Sequence, residues 1–262
     1  MKIAILGAAG RMGQNLLRCA QKINGCEIVA AVERPDFPGL GTQVKDFPAK
    51  LTYTSAWPTE AEAVIDFTFH TCVAGNIKNA IANKQAVVLG TTGLSEDAQA
   101  IVKGATQQIP IVWAANMSLG VNLLLELVKR ASEVLDDSYD IEIVEAHHRL
   151  KKDAPSGTAL MLAEAAAAGR KVALKDVACY GREGIVGERP RGEIGIHAVR
   201  GGAIIGEHTV ALIADEECVE ISHKANSREA FATGALRAAL WLTQRKPGLY
   251  NMRDVLGFTT QA

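Results

Sequence analysis

The densest chemistry in the chain lies in the run Glu145-Ala-His-His-Arg-Leu-Lys-Lys-Asp-Ala-Pro-Ser-Gly-Thr-Ala159. Paired imidazoles, three cations and a proline-led helix start are more than the folding of so short a segment requires. An imidazole and a neighbouring lysine are the two kinds of proton-handling group that general acid catalysis uses. Ser156, Gly157 and Thr158 open a helical run. A helix start offers unpaired backbone N–H groups and the positive end of its dipole, a cradle for a carboxylate or phosphate beside Lys151 and Lys152. Gly157 lets such an anion approach the backbone with no Cβ in the way, and the Thr158 hydroxyl adds a donor. The bland reading of the same residues is a solvated basic loop before a capped helix.

The elements that must position this chemistry are legible around it. Asp140 to Ala146 alternates apolar and acidic side chains through most of its length, the period of a half-buried strand. The histidines therefore sit at a strand end. Adjacent strand residues point to opposite faces, so His147 and His148 are poorly placed to share one metal ion, and no metal site is expected. One can face a ligand while the scaffold holds the other. Pro155 disfavours helix before it, Ser156 is a natural N-cap, and Ala159 to Ala168 is almost entirely helix-forming.

The amino terminus carries an independent signal. Met1 to Leu6 reads as a short apolar strand, Gly7-Ala-Ala-Gly10-Arg-Met-Gly13 as a glycine turn, and Gln14 to Lys22 as a helix. That order is the one dinucleotide-binding folds use, here with a G-x-x-G-x-x-G spacing. The next strand, Glu27 to Val32, runs into Glu33, about twenty residues past the last glycine, where an acid bonds the ribose hydroxyls. Arg34 follows, and either it or Arg11 could meet a phosphate, so NADH and NADPH are both expected ligands. Further strands, Ala63 to Thr68, Gln85 to Leu89 and Ile109 to Trp113, end in polar turns. Two of these turns are Gly90-Thr-Thr-Gly93 and Ala114-Ala-Asn-Met-Ser118, whose Asn116 and Ser118 could bond the nicotinamide ribose or amide. Ligands of open α/β sheets bind at such carboxyl ends. His70 reads as a surface or cap residue.

Composition bounds the class. With 262 residues, 48% of them hydrophobic, and 24 glycines, the chain can bury a sizeable core and divide into two domains. A formal net charge of −1 lacks the basic footprint of a nucleic-acid binder. No apolar run is long enough for a membrane span or a signal peptide, so a cytoplasmic enzyme is expected. The five cysteines are scattered without a Cys-x-x-Cys pair, and are expected to be reduced and structural.

The expected fold class is α/β: a Rossmann-like doubly wound parallel sheet plus a smaller α+β substrate and oligomerisation domain with a mixed sheet. Ser118 to Val134 reads as a long apolar helix leading into the strand at 140–146. Tyr180 to Gly195 reads as a long loop rich in glycine and charge, followed by strands at Gly195 to Val199, Ile204 to Ile213 and Cys218 to His223. His197 and His208, on these strands, read as structural or interfacial. Ser227 to Gln244 is a further helix, and Leu249 to Gly257 closes the first domain. The division expected is 1–118 plus 228–262 for the dinucleotide and 119–227 for substrate and assembly.

These stretches together resemble one family, the 4-hydroxy-tetrahydrodipicolinate (dihydrodipicolinate) reductases. Its order and spacing are matched by Gly7 to Gly13, the turn at 90–93, Asn116-Met-Ser-Leu-Gly-Val121 and, most specifically, the run from Glu145 to Ala159. The resemblance implies reduction of a small cyclic dicarboxylate by NADPH or NADH, with His147 as proton donor and acceptor and Lys151 as second proton donor. His148, Gly157 and Thr158 would bind the substrate. Gly7, Ala8, Ala9, Gly10, Arg11, Met12, Glu33, Arg34, Gly90, Thr91, Thr92, Ala114, Ala115, Asn116 and Met117 would contact the cofactor. It also implies return of the last helix to the nucleotide domain, and a homotetramer formed through the second-domain sheets. Two other functions share part of the pattern: another NAD(P)-dependent reductase of the same fold, which would keep the cofactor residues alone, and a non-enzymatic NADPH-sensing module, which would leave the histidine and lysine cluster idle.

Overall fold

A computed structural model describes residues 1–47 and 50–258; positions 48–49 and 259–262, which the expected first domain includes, lie outside the described residues. In chain order the elements are β1 (Lys2–Leu6), α1 (Arg11–Ala20), β2 (Glu27–Val32), β3 (Tyr53–Thr54), β4 (Ala63–Asp66), α2 (Val73–Ala82), β5 (Ala86–Leu89), α3 (Glu96–Ala105), β6 (Pro110–Trp113) and α4 (Leu119–Val134). There follow β7 (Asp140–His147), α5 (Gly157–Gly169), α6 (Leu174–Val177), β8 (Ala178–Tyr180), β9 (Ile194–Arg200), β10 (Glu207–Ile213), β11 (Cys218–Lys224), α7 (Glu229–Leu242), β12 (Gly248–Tyr250) and α8 (Met252–Val255). They form two compact units: Met1–Leu119 with the described chain from Arg228 onward, and Gly120–Ser227.

The first unit is built on a parallel sheet of seven strands in the order β12-β6-β5-β4-β1-β2-β3. Strand alternation distributes its apolar residues to both faces. Ile3 and Ile5 of β1 pack with Leu16 and Leu17 of α1 and with Ala235, Leu236 and Ala239 of α7. Ala4 and Leu6 pack on the opposite side with Val73 and Ile77 of α2 and Val102 of α3. Both faces are thus covered by helices, as a parallel sheet requires. Chain order runs outward from β1 in both directions, so its carboxyl end, where Gly7 begins, lies at the switch point of the sheet.

The second unit holds a mixed five-stranded sheet in the order β11-β10-β7-β9-β8. β7 pairs antiparallel with β10 and parallel with β9. One face is covered by α5, whose Ala159, Leu162, Ala163 and Ala166 pack on Ile141, Ile143, Ile194, Ile196, Val210 and Leu212. Small side chains let that helix lie close to the sheet. Sequence patterning missed β8, a short strand at the sheet edge. It also placed the start of β10 too early, since the strand begins at Glu207. Immediately before it, the buried Gly206 lies where a Cβ would come within 3.0 Å of His147 Nε2.

Close packing fixes certain glycines. A Cβ on Gly13, inside α1, would lie 2.4 Å from the Gly7 carbonyl oxygen and 2.5 Å from Ala8 Cα, both immovable backbone. Gly75, exposed on α2, would meet nothing within 4 Å. Gly13→Ala is therefore expected to cost about 1–3 kcal/mol as an overpacking change. Gly75→Ala should gain about 0.5–1 kcal/mol from helix propensity. Urea unfolding of the two variants checks both signs; a neutral Gly13→Ala would mean that α1 does not dock as described.

Candidate active site

In the first unit the glycine turn fits a dinucleotide by its own geometry. Gly7 has φ of +73°, a conformation side chains disfavour, and its N–H bonds the Val32 carbonyl at 2.9 Å, tying the turn to the end of β2. The N-cap of α1 is Gly10, and no side chain caps that helix, so its first turn faces the loop with backbone groups alone. Glu33 lies at the same place: its Oε1 accepts the Ala9 N–H at 2.7 Å. Arg34 is an exposed neighbour whose Nε lies 3.2 Å from Asp36 Oδ1. Arg11 is exposed at the start of α1, Met12 is half-buried and Ala8 is fully buried, leaving Ala8 only its backbone to offer.

Of the expected cofactor residues at the ends of β5 and β6, Thr91, Thr92, Ala114 and Ala115 line a cavity of about 340 Å³ together with Gly93, Leu94, Gln99 and Trp113, whereas Gly90, Asn116 and Met117 lie outside its lining. Thr91 works inward: its hydroxyl donates to the Thr68 carbonyl at 3.0 Å and lies near Asp66. Gly90 lies against the Phe67 ring, where a Cβ would come within 2.2 Å. Asn116 accepts the Ser118 N–H at 2.9 Å just before α4. Met117 is 1% exposed and packs in the core, so its side chain is turned away from solvent. Leu94, Gln99 and Trp113 escaped the sequence reading because a strand end announces its turn but not the side chains beneath it.

The second unit gathers the acid–base candidates. His147 ends β7 on the same face as Ile141 and Ile143, and its Nδ1 lies 2.6 Å from Glu145 Oε2. Glu145 is completely buried. Its carboxylate also accepts both terminal nitrogens of Arg200, each at 2.7 Å, and the Ser156 N–H at 2.9 Å. Burial raises the carboxyl's proton affinity, but the bonds from Arg200, His147 and Ser156 outweigh it and hold the group below its ordinary range. Arg200 further donates to the Asp153 carbonyl at 2.7 Å, so one guanidinium joins the ends of β7 and β9 to the loop that leads into α5. Ser156 caps that helix through its Oγ, which accepts the Ala159 N–H at 3.1 Å and lies 3.1 Å from His208 Nε2. The His147 and His208 rings meet edge to face at 5.2 Å.

Around this network lie the remaining candidates. Lys151 Nζ donates to both oxygens of Asp153, at 2.9 and 2.8 Å. Gly157 is exposed at the start of α5 with open space where a Cβ would stand, and Thr158 is half-buried beside it. Among the described residues no hydrogen-bond partner meets the buried Nδ1 of His148. His147, His148, Lys151, Gly157 and Thr158 thus all belong to one strand end, loop and helix start. Sequence reading named Glu145 only as the first residue of its run and His208 as structural or interfacial, and did not single out Arg200. The available signal was a break of phase in β7: Val144 is 44% exposed where the outward acids would continue, and Glu145 takes the inward position.

On the opposite face of this sheet, Glu142 accepts hydrogen bonds from Arg182, Arg189 and His197. Burial works against its charge, yet these partners together hold it down at about 2. The Arg182 and Arg189 contacts anchor the 181–193 loop to the sheet.

Comparison with known proteins gives one family across the whole length. Residues 1–117 match the family model described as dihydrodipicolinate reductase, N-terminus, and residues 120–256 the model described as dihydrodipicolinate reductase, C-terminus. A 4-hydroxy-tetrahydrodipicolinate reductase of Rhodopseudomonas palustris (strain BisA53) is 46% identical, over 98% of this chain and 97% of that protein. One of Anaeromyxobacter dehalogenans (strain 2CP-C) is 45% identical, again over 98% and 97%. The fold matches a dipicolinate-bound dihydrodipicolinate reductase from Paenisporosarcina sp. TG-14, with a TM-score of 0.75, 22% identity, and coverage of 96% of this chain and 97% of that one.

The buried histidine beside His147 yields a pH prediction. Burial, with a smaller contribution from His147, pushes His208 down from 6.5 to about 4. Between those values the unfolded chain binds the proton and the folded chain does not. Stability should therefore fall as pH drops through this window and level off below it, by roughly 3 kcal/mol for the full shift. His208→Gln should flatten the stability profile between pH 6.5 and 4 in urea titrations. An unchanged slope would assign the acid sensitivity to other groups.

Proposed function

The chain belongs to the dihydrodipicolinate reductase family, and we propose on that premise which residues perform its reaction. The activity is NAD(P)H-dependent reduction of 4-hydroxy-tetrahydrodipicolinate, with loss of water, to tetrahydrodipicolinate in lysine and diaminopimelate biosynthesis. The observation that carries the assignment of residues is the buried Glu145–His147 pair set beside Lys151 and the start of α5.

The nicotinamide cofactor supplies the hydride when bound. Gly7 to Met12 would hold its phosphates against the start of α1, Glu33 would bond its ribose, and Gly90 to Thr92 with Ala114 to Asn116 would hold its nicotinamide end, while Met117 packs in the core beneath them. Arg34 beside Glu33 lets both NADH and NADPH serve: the acid suits a free ribose hydroxyl, and the arginine suits a 2′-phosphate. The substrate is a cyclic dicarboxylate. Its carboxylates and ring are held by the backbone N–H groups at Gly157 and Thr158, by the Thr158 hydroxyl and by His148. Removing water leaves a conjugated imine. When hydride adds at the far carbon of that system, a proton must reach the carbon between, and His147 delivers it through Nε2. Lys151 is the second proton donor, released from Asp153 by the incoming substrate carboxylate.

The protein further acts as a cytoplasmic homotetramer. Supporting this, no helix among the described residues is long and apolar enough to cross a membrane. The face of the second-unit sheet opposite α5 also exposes Val144, Val199 and Ile213, apolar side chains that a sheet from another copy would cover.

Two measurements test the reading. His147→Gln and Lys151→Ala should each lower turnover by about 10²–10⁴-fold, measured as loss of nicotinamide absorbance with substrate made in situ by the preceding synthase. Binding of NADPH, followed by calorimetry, should be unchanged; loss of cofactor binding in a folded variant would put these residues in the wrong site. Light scattering on wild type and Ile213→Glu should show a tetramer that the charge breaks up, whereas a monomeric wild type would exclude the assembly.

A further inference from the structure

Glu145 is an acceptor with every position filled. A carboxylate presents about four lone-pair sites, and here Arg200 Nη1 and His147 Nδ1 converge on Oε2 while Arg200 Nη2 and the Ser156 N–H converge on Oε1. The guanidinium and the backbone amide can only donate. A carboxylate so surrounded accepts from all sides, which obliges Nδ1 of His147 to carry a proton. Among the described residues no hydrogen-bond partner takes Nε2, which lies beside Gly206, where the missing side chain leaves it room.

We propose that Glu145 and Arg200 are a positioning pair that fixes the tautomer and ring orientation of His147, leaving Nε2 as the atom that exchanges protons with the substrate. The proposal rests on the reading of His147 as the proton donor. Neither residue touches the reacting atoms. Arg200 holds Glu145 through two parallel bonds, and Glu145 holds the ring. Because Arg200 also takes the Asp153 carbonyl and Glu145 takes the Ser156 N–H, the same pair sets the histidine in register with the Lys151 loop and the start of α5. When His147 gives up its proton from Nε2, the Nδ1–H remains on the carboxylate and the ring is left as one neutral tautomer. His208 meets the ring edge on without a charge of its own, since burial keeps it neutral until about pH 4.

Substitution separates this role from a purely structural one. In Glu145→Gln the amide oxygen takes the site facing Ser156 and Arg200 Nη2, and the NH₂ group faces Nδ1, which drives the imidazole proton to Nε2, and meets Arg200 Nη1 donor to donor, a clash the double variant removes. In Arg200→Met a buried carboxylate loses its main partner, and the melting temperature should drop. In the double variant no buried charge is left unpaired, so stability should recover relative to Arg200→Met, but the wrong tautomer persists.

The experiment measures single-turnover reduction, calorimetric cofactor binding and melting temperature for wild type, His147→Gln, Glu145→Gln, Arg200→Met and the double variant. Imidazole ¹⁵N spectra of the histidine-labelled proteins report the tautomer of the singly protonated ring. The expected result is a reduction rate about 10- to 100-fold lower in Glu145→Gln and in the double variant, with cofactor binding intact and the His147 signal moved from Nδ1–H to Nε2–H. A double variant that regains both stability and rate would show a structural role only and overturn the proposal. So would Glu145→Gln within twofold of wild type while His147→Gln is inactive. A fully active His147→Gln would instead remove the reading of His147, and the proposal with it. If Glu145→Gln does not fold, Arg200→Lys, which keeps the charge but loses the paired bonds, is read by the same criteria.

Discussion

A carboxylate buried without partners would be too costly to keep, and the second unit is organised around paying that cost at Glu145. The strand that carries it also carries His147 two residues on, so both side chains share a face. Arg200 reaches the same carboxylate from the parallel neighbour β9, and Ser156 offers its N–H from the residue that caps α5. Each partner that satisfies the charge also fixes an element: the end of one strand, the end of the next, and the start of the helix. The geometry of the basic loop between them follows from these anchors. A local electrostatic requirement thereby becomes the register of the candidate site, with the proposed proton donor and the start of α5 held by one ion pair.

The first unit solves a different problem with little charge. A dinucleotide needs backbone donors and close approach, which glycines supply. Gly7 turns the chain at a positive φ, Gly13 lets α1 lie against the turn, and Gly90 accommodates the Phe67 ring beneath the neighbouring strand end. Glu33 combines both strategies, since the acid that suits a ribose also holds the Ala9 N–H and stiffens the loop. Separate family models match residues 1–117 and 120–256, a boundary that falls beside the one between the two compact units.

Sequence alone made much of this legible because the signals were local. The β1 turn, the strand ends at Leu89 and Trp113, and the helix start at Ser156 are each announced by neighbouring residues. What stayed hidden depends on partners distant in sequence. Arg200 lies 55 residues from Glu145, and nothing in its own neighbourhood marks it as the counter-ion of a buried acid. His208 looked like an ordinary strand residue until β10 placed it against Ser156 and His147. The edge strand β8 is too short for a periodic pattern to register. Glu145 itself was visible as an acid in an alternating strand, but its burial is a consequence of the shift of phase at Val144, which acquires its meaning only from the partners waiting on the inner face.

In the proposed reaction the nicotinamide is the source of one ring hydrogen and His147 the source of the other. The most direct test is mass spectrometry of tetrahydrodipicolinate formed in ordinary water from cofactor carrying deuterium at the transferable position. One deuterium per product molecule, kept in the product that His147→Gln forms at its much lower rate, is the expected result. Product formed at full rate without label would show that hydrogen reaches the ring by another route and would contradict it.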